Sequence, residues 1–153
     1  MVTRDEFFMV QAIEEAKIAE KKGEVPVGAV IVLGDKVIAK AHNLRQTKRK
    51  ATDHAEIIAI NKACKKVKDF RLNDCEIFVT LEPCLMCFGA ILNARIKRVV
   101  FGAKIGHKDA ITCQELNERA MLNFKTTITE GVLEDRCSKL VTEFFKDKRK
   151  NEV

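Results

Sequence analysis

No stretch of this 153-residue chain approaches the roughly 18 consecutive apolar residues of a membrane-spanning helix, so no membrane role is expected. Met1 to Glu6 (MVTRDE) lacks the basic-then-apolar layout of a secretory signal, which points to a cytoplasmic protein. Internal repeats and low-complexity linkers are missing too, and at this length a second folded domain has no room beside the first. One domain over residues 1–153 is expected. A cytoplasmic setting also argues against a disulfide scaffold, so the six cysteines are left with core or metal roles.

Lysine and arginine outnumber aspartate and glutamate by 28 to 22, a formal charge of +6 that favours an acidic partner such as nucleic acid. The cations cluster: Lys48, Arg49 and Lys50 precede His54, Lys62, Lys65, Lys66 and Lys68 follow it, and Lys146, Lys148, Arg149 and Lys150 lie near the end. Any one such run also serves as a plain solvated face.

Thr3 and Glu6 have capping-box spacing, and Met9, Ile13, Ala16 and Ala19 follow at helical intervals up to Gly23. Val27 to Leu33 is a nearly continuous apolar run, Gly34 and Asp35 form a turn, and Lys36 to Ala41 begins a second strand of a hairpin. Asn43 to Thr52 shows no periodicity. A helix carrying Ile57, Ile58, Ala63 and Val67 comes next, with His54 and Glu56 at its start. Cys75 to Leu81 reads as a strand, and Pro83 as the first turn of a helix ending near Ala94. Arg98 to Phe101 and Thr126 to Thr129 are further strands, with a helix from about Gln114 to Leu122 between them. A basic helix over about 133–148 closes the chain. This order predicts an α/β fold with a five-stranded sheet covered by helices on both faces.

Only Cys84 and Cys87 have ligand spacing. Cys64, Cys75, Cys113 and Cys137 stand alone and read as small buried hydrophobes. Two thiols three apart share one helix face, and the positive end of the helix favours their thiolate forms. A β-α packing brings the helix start at His54 beside them, giving an imidazole and two thiolates, a set zinc accepts with a fourth position left for water. On catalytic zinc the pKa of water falls from about 15.7 to about 7. Glu56 is then the proton carrier. Residues two apart point to opposite sides of a regular helix, so His54 and Glu56 reach one cavity only from an irregular first turn. His-x-Glu followed by Pro-Cys-x-x-Cys is the pattern of zinc-dependent nucleobase deaminases.

Further motifs carry a closer resemblance: Gly23 to Ile31 (GEVPVGAVI), Ala41 to Arg45 (AHNLR), His54 to Glu56 (HAE), Val79 to Cys84 (VTLEPC), Met86-Cys87 and Arg95 to Ala103 (RIKRVVFGA). Across roughly residues 5–150 the chain resembles the bacterial tRNA-specific adenosine deaminase (TadA) family of the cytidine and deoxycytidylate deaminase superfamily. The resemblance implies a three-layer α/β/α cytidine-deaminase-like fold around a five-stranded mixed sheet. It implies a homodimer with one zinc ion per subunit that converts adenosine to inosine at the wobble position of the tRNA anticodon stem-loop. It also implies that Asn43 recognises the flipped nucleoside and that Val27 and Leu81 line the base pocket, although on apolarity alone both are strand-core residues. Backbone amides near Ala55 and Cys84 are candidates to polarise the water or the intermediate. The favoured RNA contact is the closing helix with Lys146, Lys148, Arg149 and Lys150.

The chain departs from the family at the rim. Where the family commonly has Asp-Pro-Thr-Ala before His-Ala-Glu, this chain has Lys50 to Asp53 (KATD). Ile105 replaces a usual aspartate, and Gly106 to Cys113 (GHKDAITC) replaces a Gly-Ser turn. His42 and His107 are not expected to bind metal. Two rival readings share the motif: a deaminase of free guanine, cytosine or a nucleoside, and a noncatalytic zinc-containing RNA-binding subunit in which a fourth protein ligand closes the metal.

Overall fold

The computed structural model describes residues 1–107, 109–119 and 124–151. Helix α1 (Arg4–Lys21) starts at the expected capping box, in which Thr3 Oγ1 accepts from the Glu6 N–H and Glu6 Oε1 accepts from the Thr3 N–H. Strands β1 (Gly28–Leu33) and β2 (Lys36–His42) form the hairpin, turned at Gly34 with φ 64°. The chain continues through α2 (Arg45–Lys48), α3 (Ala55–Val67), β3 (Cys75–Leu81), α4 (Leu85–Asn93), β4 (Arg98–Ala103), α5 (Cys113–Arg119), β5 (Thr127–Thr129) and α6 (Glu134–Asn151).

The five strands make one mixed sheet in the order β2-β1-β3-β4-β5, antiparallel from β2 to β3 and parallel from β3 to β5. Continuous apolar runs form its centre because both faces are buried, and alternate residues serve opposite sides. Ala29, Ile31, Ile77, Val79, Val99 and Phe101 pack in one core with residues of α3 and α4. Val30, Val32, Phe78 and Val100 pack in the other with Phe8, Met9, Ala12 and Ile13 of α1 and Cys137 of α6. The result is the three-layer α/β/α cytidine-deaminase-like architecture.

Two close approaches hold the α1 and α6 layer to the sheet. A Cβ at Gly28 would collide with the backbone of α1 at Ala12, and one at Gly102 would collide with Cys137. Cys75, Cys113 and Cys137 are buried as expected, whereas Cys64 is only half-buried. Its thiol instead reaches the Phe70 carbonyl, Sγ to O 3.6 Å.

The structure corrects two local expectations. The aperiodic segment after Asn43 contains the single turn α2, pinned by Glu24, which accepts from the N–H groups of Gln46 and Thr47. Pro83 lies outside α4 rather than in its first turn, because Cys84 is the N-cap. The helix expected near Gln114 is present as α5, which starts at Cys113 and is described to Arg119; the expected end at Leu122 lies outside the described residues.

Sheet topology places the site. Because β1 runs antiparallel to β3, with Ala29 opposite Val79, the entrance to β1 at Val27 meets the exit of β3 at Leu81. β2 ends there as well, with His42 paired to Gly28, so Asn43 emerges at the same rim. α3 and α4 both begin at this edge.

Candidate metal centre and active site

Both helix starts are built from residues that are poor N-caps. His54 (φ −72°, ψ 155°) and Cys84 (φ −72°, ψ 174°) take the extended cap conformation, yet neither makes a side-chain capping hydrogen bond. A capping Ser, Thr, Asp or Asn in such a place typically adds about 0.5–2 kcal/mol, so these positions serve something other than helix stability. Both side chains instead turn towards each other. His54 Nδ1 lies 3.6 Å from Cys84 Sγ and 3.4 Å from Cys87 Sγ, and the three ligand atoms all fall within 4.8 Å of one another. A tetrahedral ion about 2.3 Å from sulfur and about 2.1 Å from nitrogen requires N···S edges of about 3.6 Å, so the trio fits a metal. No fourth side chain joins the group among the described residues.

The protons of the trio agree with that donor set. The Cys84 pKa is brought down to about 3, first by the hydrogen bond from Cys87 and then by His54, while the Cys87 thiol is pushed up by Cys84 and by burial. A metal ion displaces such shared protons, since thiolate and neutral imidazole are the ligating forms.

Glu56 sits in the first turn of α3, one residue past Ala55, where the extended cap at His54 lets both side chains reach one cavity. Burial pushes its carboxyl up to about 7, and Oε1 is buried without a hydrogen-bond partner among the described residues. A buried polar atom left unpaired is costly, about 1–3 kcal/mol, which marks Glu56 as a group held ready for something that enters the cavity.

That cavity has a volume of about 250 Å³. His54, Glu56 and Cys84 line it, with Val27 and Leu81 on its walls and Asn43 at the side. Asn43 Oδ1 accepts from the Ala55 N–H at 2.8 Å, and Nδ2 donates to the Val25 carbonyl at 3.2 Å. The Ala55 amide is therefore engaged by Asn43, and Ala55 is not among the residues lining the cavity. Val25, Arg45, Glu82 and Ile105 complete the lining. Of these, only Ile105 is singled out by the sequence, and Val25, Arg45 and Glu82 stand there inside motifs with no role of their own. Glu82 accepts from the N–H groups of Ile105 (3.2 Å) and Cys113 (2.9 Å), clamping the rim segment to the start of α4. Its position beside Pro83 and Cys84, at the end of an apolar strand, is the only sequence signal it offers.

Lys146, Lys148, Arg149 and Lys150 are exposed on the last turns of α6, and none of them lines the cavity. α6 approaches the site through Phe145, which lines a neighbouring cavity of about 380 Å³ that shares Leu81 and Ile105 with the first. His107 lines that second cavity, outside the metal group. His42 is held between Glu15 and Lys22, at 3.0 Å from each.

This architecture has counterparts among known proteins. The MafB19-like deaminase family matches residues 3–149. A tRNA-specific adenosine deaminase of Bacillus subtilis (strain 168) is 44% identical over 152 residues, covering 97% of this chain and 93% of its own. A solved structure from work on A-to-I editing by tRNA:A34 deaminases superposes with a TM-score of 0.82 at 34% identity, covering 88% of this chain and 98% of the other. A guanine deaminase from Nitrosomonas europaea superposes with a TM-score of 0.80 at 25% identity, covering 94% and 85%.

Proposed function

The chain belongs to the tRNA-specific adenosine deaminases within the MafB19-like deaminase family, and on that premise we propose that it hydrolyses adenosine to inosine at the wobble position of tRNA, releasing ammonia. The observation that carries the reading is a metal-competent His54, Cys84 and Cys87 beside a buried, unpaired Glu56 on one small cavity. Zinc suits the one-nitrogen, two-sulfur donor set, and when bound it supplies a Lewis acid that makes water a nucleophile near neutral pH.

The chain's own residues do the rest. With its pKa near 7, Glu56 holds or releases a proton at neutral pH. It takes one proton of the attacking water at Oε1 and passes it to the ring nitrogen next to the amino-bearing carbon, then takes the second proton from the newly bonded hydroxyl and gives it to the amino group, so that the C–N bond breaks, ammonia leaves and the carbonyl of inosine forms. The apolar side chains of Val27 and Leu81 flank the plane of the base and exclude water. Asn43 Nδ2 has a second proton beyond the one given to Val25, and directs it to a purine ring acceptor, which fixes the base against Glu56.

The family resemblance supports a homodimer acting in the cytoplasm as a single deaminase domain. The exposed cations of α6 support a grip on the anticodon stem. Measuring ammonia release from an anticodon stem-loop and from free guanine, cytosine and adenosine tests the substrate. Turnover confined to the stem-loop is expected, and preference for a free base would replace this reading.

A further inference from the structure

A trough of about 260 Å³ opens beside the catalytic cavity and shares Val25, Asn43 and Arg45 with it. Beyond Arg45 its lining includes Arg49 and Lys50. All three cations are exposed, and among the described residues none of them makes a salt bridge. The one acid in the wall is already engaged, since Glu24 accepts from Thr47 N and Thr47 Oγ1, both at 2.6 Å, and from Gln46 N at 3.3 Å. Those bonds pin α2 and so fix the backbone from which the cations project. Arg49 then takes the left-handed conformation (φ 54°), ending α2 so that Lys50 follows it along the same trough. Among the described residues no acid forms an ion pair with these three positive groups, and Arg45 lies on the wall of the base cavity, so that together they form a site for an anion that arrives attached to the base.

We propose that this trough binds a phosphodiester of the RNA strand adjoining the edited nucleotide, with Arg45 nearest the base and Arg49 and Lys50 beyond it. The inference rests on the proposed RNA substrate. Guanidinium groups offer paired N–H donors to phosphate oxygens, and Lys50 adds a point charge. The trough runs into the segment where this chain departs from its family, at Lys50, so part of the grip is a property of this chain's own rim.

The test is equilibrium binding, which does not depend on turnover. Metal-loaded full-length protein and its R45Q/R49Q/K50Q variant are titrated with a labelled anticodon stem-loop. The RNA is either native or neutralised by methylphosphonate at one of the two phosphates flanking the target adenosine. For the wild type, one of the two replacements is expected to weaken binding about tenfold, the size of one charge-assisted hydrogen bond. The triple variant binds native RNA more weakly, ignores that replacement, and shows a salt slope smaller by about 0.7 for each phosphate it no longer neutralises. Metal content and a thermal melt equal to wild type show that the variant is folded, and K50D alone, a charge reversal at an exposed position, is expected to weaken binding more than K50Q. Equal sensitivity of both proteins to each replacement overturns the proposal. So does a triple variant that loses binding of millimolar inorganic phosphate while keeping wild-type affinity for the native RNA, which would mark a free-phosphate site. Inosine formation read in parallel separates the two claims: deamination without this coupling removes the trough alone, and coupling without deamination removes the function alone.

Discussion

Replacing Arg98 by Met tests how the start of β4, at the opposite end of that strand from Ala103, is held to its neighbours. Arg98 donates to Asp5 at 2.9 and 2.6 Å, to Glu76 at 2.8 Å and to Thr129 at 3.2 Å, joining α1, β3, β4 and β5. Glu76 is nearly buried, its side chain 8% exposed, and would be left with Arg4 at 2.8 Å. Breaking a buried pair by removing one partner costs about 3–5 kcal/mol; here Arg98 is partly exposed and Arg4 remains for Glu76, so about 2–3 kcal/mol is expected. For a chain of this size that is a fall in Tm of about 5–10 °C. The pH dependence gives a sharper signature. Asp5 is held below the usual carboxylate range by the Arg98 hydrogen bond, and in Glu76 burial pushes upward while bonds from Arg4 and then Arg98 bring the net value down. Groups lowered in the fold stabilise it fully above their unfolded pKa, about 4, and that contribution fades as pH falls through the folded values. Urea unfolding should therefore show the full difference between wild type and variant at neutral pH and a shrinking one below about pH 4. A difference unchanged by acid, or under about 1 kcal/mol at neutral pH, would refute the ion-pair account and leave only a loss of packing.

Other consequences are equally direct. Glu56→Gln keeps the shape of the side chain and loses the proton carrier, so kcat should fall by about 10²–10⁴-fold with metal content unchanged, measured by inosine formation in the RNA and metal analysis. Gly28→Ala drives a Cβ into the α1 backbone and should cost about 1–3 kcal/mol or more. Gly89→Ala, inside α4 with open space around its Cβ, should instead gain up to about 1 kcal/mol, and chemical denaturation of the pair checks both signs. Neutralising Lys146, Lys148, Arg149 and Lys150 together should weaken stem-loop binding and flatten its salt dependence, with unchanged affinity ruling the patch out.

The metal trio was legible in the sequence because histidine and paired cysteines at such spacing have few other uses, and because the intervening helix and strand bring the two helix starts together. The strands were legible for a related reason: runs such as Val27 to Leu33 stay apolar on both faces only in a doubly covered sheet. Glu24 and Glu82 left no such mark. Each is a buried carboxylate satisfied by backbone N–H groups of a distant loop, and periodicity says nothing about which loop folds over which strand end. Pro83 misled for a local reason, since proline fits the first turn of a helix, yet here the cap position was taken by a cysteine turned towards His54. Arg49 and Lys50 of the trough were visible only within a charge run and Arg45 only within a motif, and their connection to the catalytic cavity needed the pinned turn α2.

The most direct measurement is sequencing of tRNA after incubation with the purified, metal-loaded protein, reading adenosine-to-inosine change as guanosine in the reverse transcript. The account predicts conversion at the first anticodon position, abolished on metal removal and in Glu56→Gln. An unchanged wobble adenosine, with ammonia released from a free base instead, would contradict it.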